Sequence, residues 1–459
     1  METQSGIAII GAGLTGLTAA WYLKKNGLKA TIFERSGRAG GVIRTCHENG
    51  FVYEAGPNTG VLGNPEALEL MEDLHPECRI EIADKAAKAR WIWKGDRWEP
   101  LPSGLISGIT TPLFSFGDKL RILAEPFRKK GTNPDETLAQ MVRRRLGKSF
   151  LQYAVDPFIL GIYAGDPDYL VTKYALPKLY NLEQNYGSFI RGSMKKAKEP
   201  KSERDKKATR EIFSIEGGLQ NLIDALIKKT QEMPLLLSCG KITVEPLPDG
   251  KFRVQTENGQ TGVFSHVIST VGAHALNELI PFAFDENLTN ICCLRYAKVA
   301  QVSLGFKKWE GVPLKSFGGL VPFEEHRDIL GALFISSFLK NRAPEGGALL
   351  SVFLGGLRRP EIAILPDHEI LAIVEREITS MMNLKSFNPD LMKIHHYDHA
   401  IPQYGPESGA KLKTIREIQA KHPGLILAGN IRDGIGMADR IKQGRTIAEE
   451  IAATFNSTP

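Results

Sequence analysis

Residues 6–34, GIAIIGAGLTGLTAAWYLKKNGLKATIFE, decide the fold. GIAII is a continuous apolar run bounded by glycine, as expected for a strand buried on both faces of a parallel sheet. Gly11, Gly13 and Gly16 follow at once with G-x-G-x-x-G spacing, and Leu14, Leu17, Trp21 and Leu28 then recur near the helical period, with Gly27 as a stop. KATIFE reads as a second strand that ends at Glu34, about twenty residues past the glycines, where a carboxylate can accept both ribose hydroxyls. Glycine removes side chains, so a pyrophosphate can sit on backbone N–H groups at the positive end of a helix. A lone glycine fingerprint carries little. Placed after a strand, before a helix and with its acidic residue in register, it predicts an adenine dinucleotide site in an α/β, Rossmann-like unit; glycines that serve only helix–strand packing are the alternative.

The unit does not stop at Glu34 but runs on through Arg35, Arg38, Gly40, Gly41 and Arg44 in ERSGRAGGVIRT. A nicotinamide cofactor needs little protein beyond the ribose carboxylate, whereas an extended FAD carries its pyrophosphate, ribityl chain and ring across a second segment. Gly40 and Gly41 let backbone approach that chain, and Arg38 and Arg44 offer charge-assisted hydrogen bonds along it, or else form a pair of surface arginines. GAGLTG, then ERSGRAGG, then YEAGPNTG at 53–60 resembles the amine oxidase and protoporphyrinogen oxidase superfamily of FAD proteins.

At 459 residues the chain exceeds one core and predicts two or three domains. With 42% hydrophobic and 24% charged residues it is not a disordered chain. Lys plus Arg exceeds Asp plus Glu by 58 to 52, a net +6 that favours anionic small ligands or lipid surfaces over extended nucleic acid, though a mixed solvated surface explains it equally. The five cysteines are odd in number and lack CxxC spacing, which points to a reducing cytoplasm. No signal peptide is expected, since the first apolar run is one strand long and leads into a glycine turn. No apolar stretch reaches the length of a membrane-spanning helix.

Downstream, Asn64-Pro65 predicts a helix start with Leu68, Met71 and Leu74 facing inward. ARWIWKGDRWEPLP (89–102) predicts a hairpin. Residues 101–117 are uncharged but broken by Pro102, Gly104, Gly108 and Pro112, and predict a loop that either touches a bilayer or lies buried under the next helices. From 118 to 190 the pattern is helical, with a double-arginine surface in MVRRRLG (141–147). Residues 195–210, charged and nearly free of apolar side chains, predict a mobile stretch, either a solvated linker or a contact to anionic lipid. Leu219, Leu222, Ile223, Leu226 and Ile227 form one helical face, Asn258-Gly259 a hairpin turn, and 266–271 a buried strand. AQVSLGF (300–306) and ALLSVFLGG (348–356) predict strands and 367–382 a helix. GLILAGN (424–430) predicts a last buried strand. It leads into a helix whose Met437, Ile441, Ala448, Ile451 and Phe455 face one way. The positive N-terminus of that helix, beside a flavin pyrimidine, favours the charge a reduced flavin develops.

GIYAGDP (161–167), GFKKWEGVPLKSFGGLVP (305–322), NRAPEGGALLSVFLGG (341–356) and HAIPQYGP (399–406) are, in this order, similar to the protoporphyrinogen oxidase family. The resemblance implies an α/β fold in three parts. These are a discontinuous FAD domain (1–85, 205–285 and 410–459), a mixed-sheet substrate domain (86–111 and 286–409) and a helical domain (112–204) resting on one membrane leaflet. It implies six-electron oxidation of a porphyrinogen with non-covalent FAD and O2 as acceptor. The implied setting is a cytoplasmic monomer or homodimer at the inner face of the cell membrane, without nucleic acid.

For the cofactor the resemblance implies contacts from Gly11, Gly13, Leu14, Thr15 and Gly16, and from Glu34, Arg35, Gly40, Gly41 and Arg44. Gly56, Pro57 and Asn58 follow, then Thr270, Gly429, Gly436, Met437 and Ala438. Lys241 departs from the family, which places a small apolar residue there to pair its backbone with adenine. For the substrate it implies Arg90 gripping a propionate, Gly161 and Gly165 exposing backbone to the ring, and Leu320, Leu333 and Phe334 clamping its faces. Asn58 falls where the family has a catalytic asparagine near the pyrrole nitrogens. Plain surface, turn or core roles are the alternatives for each. Hydride transfer from a methylene bridge needs no nucleophilic triad or paired carboxylates, and neither is found.

His395, His396 and His399 beside Asp398 resemble a metal cluster, but a strand-like HAIPQY argues against a helical ligand pair, so no metal is expected. No cysteine follows Cys293, so no covalent flavin is expected. GPNT leans towards protoporphyrinogen, because the coproporphyrinogen branch usually has an aspartate there. Coproporphyrinogen oxidation and a flavin amine oxidase are the rival readings.

Overall fold

The computed structural model of the chain describes residues 6–85, 89–102, 107 and 110–457. The elements that carry the site begin with β1 (Ile7–Ile10), α1 (Leu14–Lys25), β2 (Ala30–Phe33), the hairpin β3 (Thr45–Glu48) and β4 (Phe51–Glu54), and α2 (Pro65–Leu74). A second hairpin, β5 (Arg90–Lys94) and β6 (Arg97–Pro100), precedes helices α3 (Phe116–Leu123), α4 (Leu138–Arg145), α5 (Asp156–Tyr163), α6 (Pro177–Tyr186) and α7 (Phe189–Ala197). Next come α8 (Gln220–Lys229), β7 (Leu235–Leu236), β8 (His266–Ser269), β9 (Tyr296–Phe306), β10 (Gly318–Leu320), β11 (Ile329–Leu333) and β12 (Ala348–Gly355). The chain ends with α9 (Asp367–Met382), β13 (Leu391–Pro402), α10 (Ser408–Lys421), β14 (Leu425–Leu427) and α11 (Met437–Ser457).

Five strands form a parallel sheet in the order β7-β2-β1-β8-β14. Every residue of β1 and β2 is buried, as their unbroken apolar runs require in a sheet covered on both faces. Ile7, Ile9 and Ile32 pack on one side with Leu17, Leu222, Leu226 and Ile441 from α1, α8 and α11. Ala8, Ile10 and Phe33 pack on the other with Val244, Phe252 and Phe264. The expected start of α2 is present: Asn64 caps it by accepting from Ala67 N at 3.1 Å, with proline at the first position.

The second sheet has seven strands in the order β13-β9-β12-β11-β10-β5-β6, antiparallel except between β10 and β5. Alternation gives it two faces. Trp93, Val302, Ala332 and Val352 face the core shared with Ile370, Val374 and Ile378 of α9. On the opposite face the register sets Lys393, Ser303, Ser351, Leu333, Gly318 and Arg90 side by side across six strands.

In MVRRRLG Arg143 is exposed and Arg144 half-buried, while the side chain of Arg145 is fully buried and ion-paired to Glu125 and Glu183, because α4 is closed off by α6 and α7. Two expectations are corrected. Within 195–210, residues 202–207 are ordered beside α2: Ser202 caps the short helix Glu203–Lys206, Arg204 pairs with Glu66 and Glu69, and Lys207 with Glu72. Phe455 is 40% exposed, beside His266, rather than inside with Ile441 and Ile451. Six of the 17 residues of the expected loop 101–117 lie outside the described residues.

Candidate functional site

The carboxyl ends of the parallel strands bring the predicted glycines together. Gly11 N–H donates to Phe33 O and Gly40 N–H to Ala12 O, both at 2.8 Å. Thr270 Oγ1 donates to Ile10 O at 3.0 Å, or to Gly11 O at 3.1 Å. A Cβ on Gly41 would lie 3.4 Å from Gly13 Cα, one on Gly56 2.0 Å from Val42 O, and one on Gly429 2.7 Å from Thr270 O. These segments therefore form one line of closely apposed backbone, and at Gly56, with φ +144°, only glycine fits without strain.

Glu34 stands at the end of β2, where its Oε2 accepts from Ala12 N at 2.9 Å and its Oε1 from Ser36 N at 2.9 Å. Gly13 caps α1 without a side chain, and an added Cβ there meets nothing within 4 Å. The first-turn N–H groups of Leu14, Thr15 and Gly16 thus lie behind an open flank at a positive helix end. At the far end of the line, Gly436 N–H donates to Asp439 Oδ2 at 3.1 Å, and Asn64 Nδ2 fastens Ala438 O at 2.9 Å beside the buried Met437. A carboxylate, an uncapped helix end and glycine-lined backbone in this order fit an extended adenine dinucleotide.

Other predicted cofactor residues are spent differently. Arg38 folds back on the carbonyls of Ala39, Gly41 and Ile43 and so holds the glycine turn rather than reaching along a ligand. Arg35 pairs with Glu278 at 3.8 Å. Arg44 is exposed, with no ion pair among the described residues. The backbone N–H of Lys241 donates to Glu257 Oε2 at 2.8 Å and its carbonyl accepts from Glu257 N at 2.7 Å, which occupies both groups expected to meet adenine. Its neighbours Cys239 and Gly240 run beside Glu34 and Arg35 through backbone bonds of 3.0 and 3.2 Å.

On the polar face of the seven-stranded sheet, Arg90 has no ion pair among the described residues and stacks 5.7 Å from the Phe317 ring. It is accessible, yet the surrounding protein holds its pKa below that of a free arginine, which marks a guanidinium in a recess. Lys94, on the same strand, donates to Pro112 O and Leu113 O, and Lys393, at the far end of the row, pairs with Glu48. Leu320 meets α5 at Gly161, where an added Cβ would come within 2.3 Å of it. Leu333 lies between Gly318 and Ser351 in the row. Phe334 is on the other side of the sheet, in the α9 core and edge-on to Trp91 at 5.6 Å, so it is not brought to this face. Gly165 is buried against Gln403.

Asn58, 7% exposed, reaches the row through Ser351. Sequence reasoning missed Gln301 and Ser351. Their signal was polar residues inside apolar runs, Gln301 and Ser303 at alternate positions of AQVSLGF and Ser351 alone in ALLSVFLGG. The histidines disperse: His395 stacks on Tyr53, His396 bonds Asp367 and Ala363 O, and His399 stacks on His274 at 3.8 Å. Among the described residues no group of three or more His, Cys, Asp or Glu is arranged for a metal ion.

A family model for flavin-containing amine oxidoreductases matches residues 14–452. The chain is 30% identical to the mitochondrial protoporphyrinogen oxidase of Nicotiana tabacum, over 98% of this chain and 95% of that protein. It is 28% identical to the coproporphyrinogen III oxidase of Bacillus subtilis, over 98% of both. A crystal structure from Exiguobacterium sp. 255-15, 23% identical, superposes with a TM-score of 0.83 over 99% of this chain and 100% of that one, a likeness of fold.

Proposed function

The chain belongs to the flavin-containing amine oxidoreductase family, and we propose that it oxidises protoporphyrinogen IX to protoporphyrin IX with non-covalent FAD and O2 as the final acceptor. The macrocycle gives up six electrons and six protons, and three O2 become three hydrogen peroxide. Bound flavin supplies the hydride acceptor; the protein's part is to hold the cofactor along Gly11–Gly16 and Glu34 and to align a methylene bridge. The observation that carries the reading is Arg90, an unpaired guanidinium at one end of a row that continues through Leu333 to Ser351 and Asn58. Among the described residues of this row, Arg90 is the one cation without an ion pair, which suits a ring with its propionates on one edge. Coproporphyrinogen spreads four carboxylates around the ring, and Lys94 on the same strand and Lys393 at the far end of the row are already engaged.

Arg90→Ala is expected to raise the KM for protoporphyrinogen by about a hundredfold with kcat nearly kept, since truncating one member of a desolvated charge pair costs roughly 2–5 kcal/mol. Steady-state porphyrin fluorescence with each porphyrinogen checks it. If the wild-type protein forms fluorescent porphyrin from neither, or prefers coproporphyrinogen, the assignment is wrong.

No helix among the described residues is long and apolar enough to cross a membrane. Phe116, Leu120, Leu123 and Phe127 are 51–82% exposed, and α3 buries none of its residues. Arg191 lies 5.5 Å over the Phe127 ring, with Lys129, Lys130 and Lys195 also exposed. An apolar face ringed by cations supports peripheral docking on an anionic leaflet, in keeping with a cytoplasmic protein at the inner face of the cell membrane. Leu120→Asp is expected to weaken co-sedimentation with phosphatidylserine vesicles by about tenfold or more. Unchanged co-sedimentation removes this surface from the account.

A further inference from the structure

A buried chain of side chains links the substrate face to residues 54–58, and propionate binding does not account for it. Gln301, 1% exposed, donates through Nε2 to Glu54 O at 3.0 Å and accepts through Oε1 from Gly56 N–H at 3.1 Å. A backbone N–H can only donate and a carbonyl can only accept, so these two bonds fix which end of the carboxamide is which. Nε2 gives its second hydrogen to Ser351 Oγ at 3.0 Å. Ser351, also 1% exposed, accepts again from Asn58 Nδ2 at 3.4 Å. This contact places the Asn58 amide with its nitrogen towards the sheet and Oδ1 away from it. No described group donates to that Oδ1.

We propose that Gln301 and Ser351 are positioning residues that hold the Asn58 amide oxygen towards the macrocycle. There it accepts from pyrrole N–H groups and fixes the height of the ring. Without the serine oxygen the amide is free to flip, and its NH2 then opposes the same N–H groups. The inference rests on the porphyrinogen oxidase reading above.

The test compares Ser351→Ala, Asn58→Ala and the double variant, each purified with flavin. The rate of anaerobic flavin bleaching by protoporphyrinogen is measured alongside affinity for product porphyrin by fluorescence quenching. Ser351→Ala is expected to slow bleaching about tenfold, the worth of one buried hydrogen bond, with porphyrin affinity held. In the Asn58→Ala background it is expected to cost nothing more, because the serine acts through the asparagine. Ser351→Thr keeps the hydroxyl and recovers most of the rate. Gln301→Glu replaces a donor by an acceptor and makes bleaching faster at lower pH, as protonation restores a donor. Equal losses in both backgrounds, a flavin-free Ser351→Ala protein, or a flat pH profile for Gln301→Glu each overturn the proposal. A wild-type protein that no porphyrinogen bleaches defeats the underlying reading instead.

Discussion

Arg145→Met is expected to destabilise the helical segment by about 3–5 kcal/mol, the usual loss when one partner of a buried ion pair is removed. Arg145, Glu125 and Glu183 all have fully buried side chains. Glu125 also accepts from Ser188 Oγ at 2.6 Å and Phe189 N at 2.9 Å, at the start of α7. Glu183 is shared with Arg144 at 2.8 Å. Burial alone would raise both carboxyls, but bonds from Ser188, Phe189, Ile190 and Arg145 to Glu125, and from Arg144, Gly131 and Arg145 to Glu183, outweigh it and hold each below the ordinary carboxylate range.

The sign of the pH dependence follows. In the wild-type protein the unfolded carboxyls bind protons first, so stability is full above their unfolded pKa and falls as pH drops through the lowered folded values. Methionine removes a cation and leaves burial, so the folded carboxyls bind protons more readily than before. The deficit of the variant is therefore expected to be smaller at about pH 5 than at about pH 7. Denaturant melts at the two values check it, and a deficit independent of pH, or below about 1 kcal/mol, shows that the cluster does not hold these helices together. Because α5 in this segment carries Gly161 against Leu320, porphyrinogen KM is expected to rise before flavin is lost.

The βαβ unit was legible because its physics is local: an apolar run, glycines without side chains and a carboxylate in register are each visible within 29 residues of the sequence. The same holds for α9, whose predicted span of 367–382 is the observed one, and for the hairpin turning at Gly95-Asp96. The burial of Arg145 was not legible in the same way. Its neighbours in sequence are charged, and the carboxylates that make burial possible come from 20 and 38 residues away. Residues 195–210 misled for a related reason, since the order of 202–207 depends on three glutamates of α2 rather than on any apolar residue of their own.

Site residues divide along the same line. Arg90, Leu333 and Ser351 are brought into one row only through strand register, which pairs residues up to 228 positions apart (Arg90 with Gly318) and leaves no mark on sequence spacing. Phe334 directly follows Leu333, and consecutive residues of an extended chain point to opposite faces. Assigning both to one clamp conflicted with that rule, and the structure puts Phe334 behind the sheet with Trp91.

A pair of alanine substitutions is expected to separate cofactor binding from folding. Gly16→Ala places a Cβ 2.1 Å from Gly11 O and 3.1 Å from Ile9 Cγ2. A backbone oxygen cannot rotate aside as a side-chain tip can, so α1 must back away from the turn, at a cost of about 1–3 kcal/mol for overpacking. The first-turn N–H groups move with it. Charge-assisted bonds to a pyrophosphate are worth roughly 1.5–3 kcal/mol each, so losing two weakens flavin binding by at least about a hundredfold. Gly13→Ala differs in kind. Its φ is −79°, and the added Cβ meets nothing within 4 Å, so the apoprotein should melt as the wild type does. That empty space is where the dinucleotide has to approach the helix end, so this variant too is expected to purify without yellow colour. Flavin absorbance per protein, with thermal melts of both apoproteins, reads the two effects apart. A Gly13→Ala protein that keeps its flavin would mean that the cofactor does not pass the start of α1.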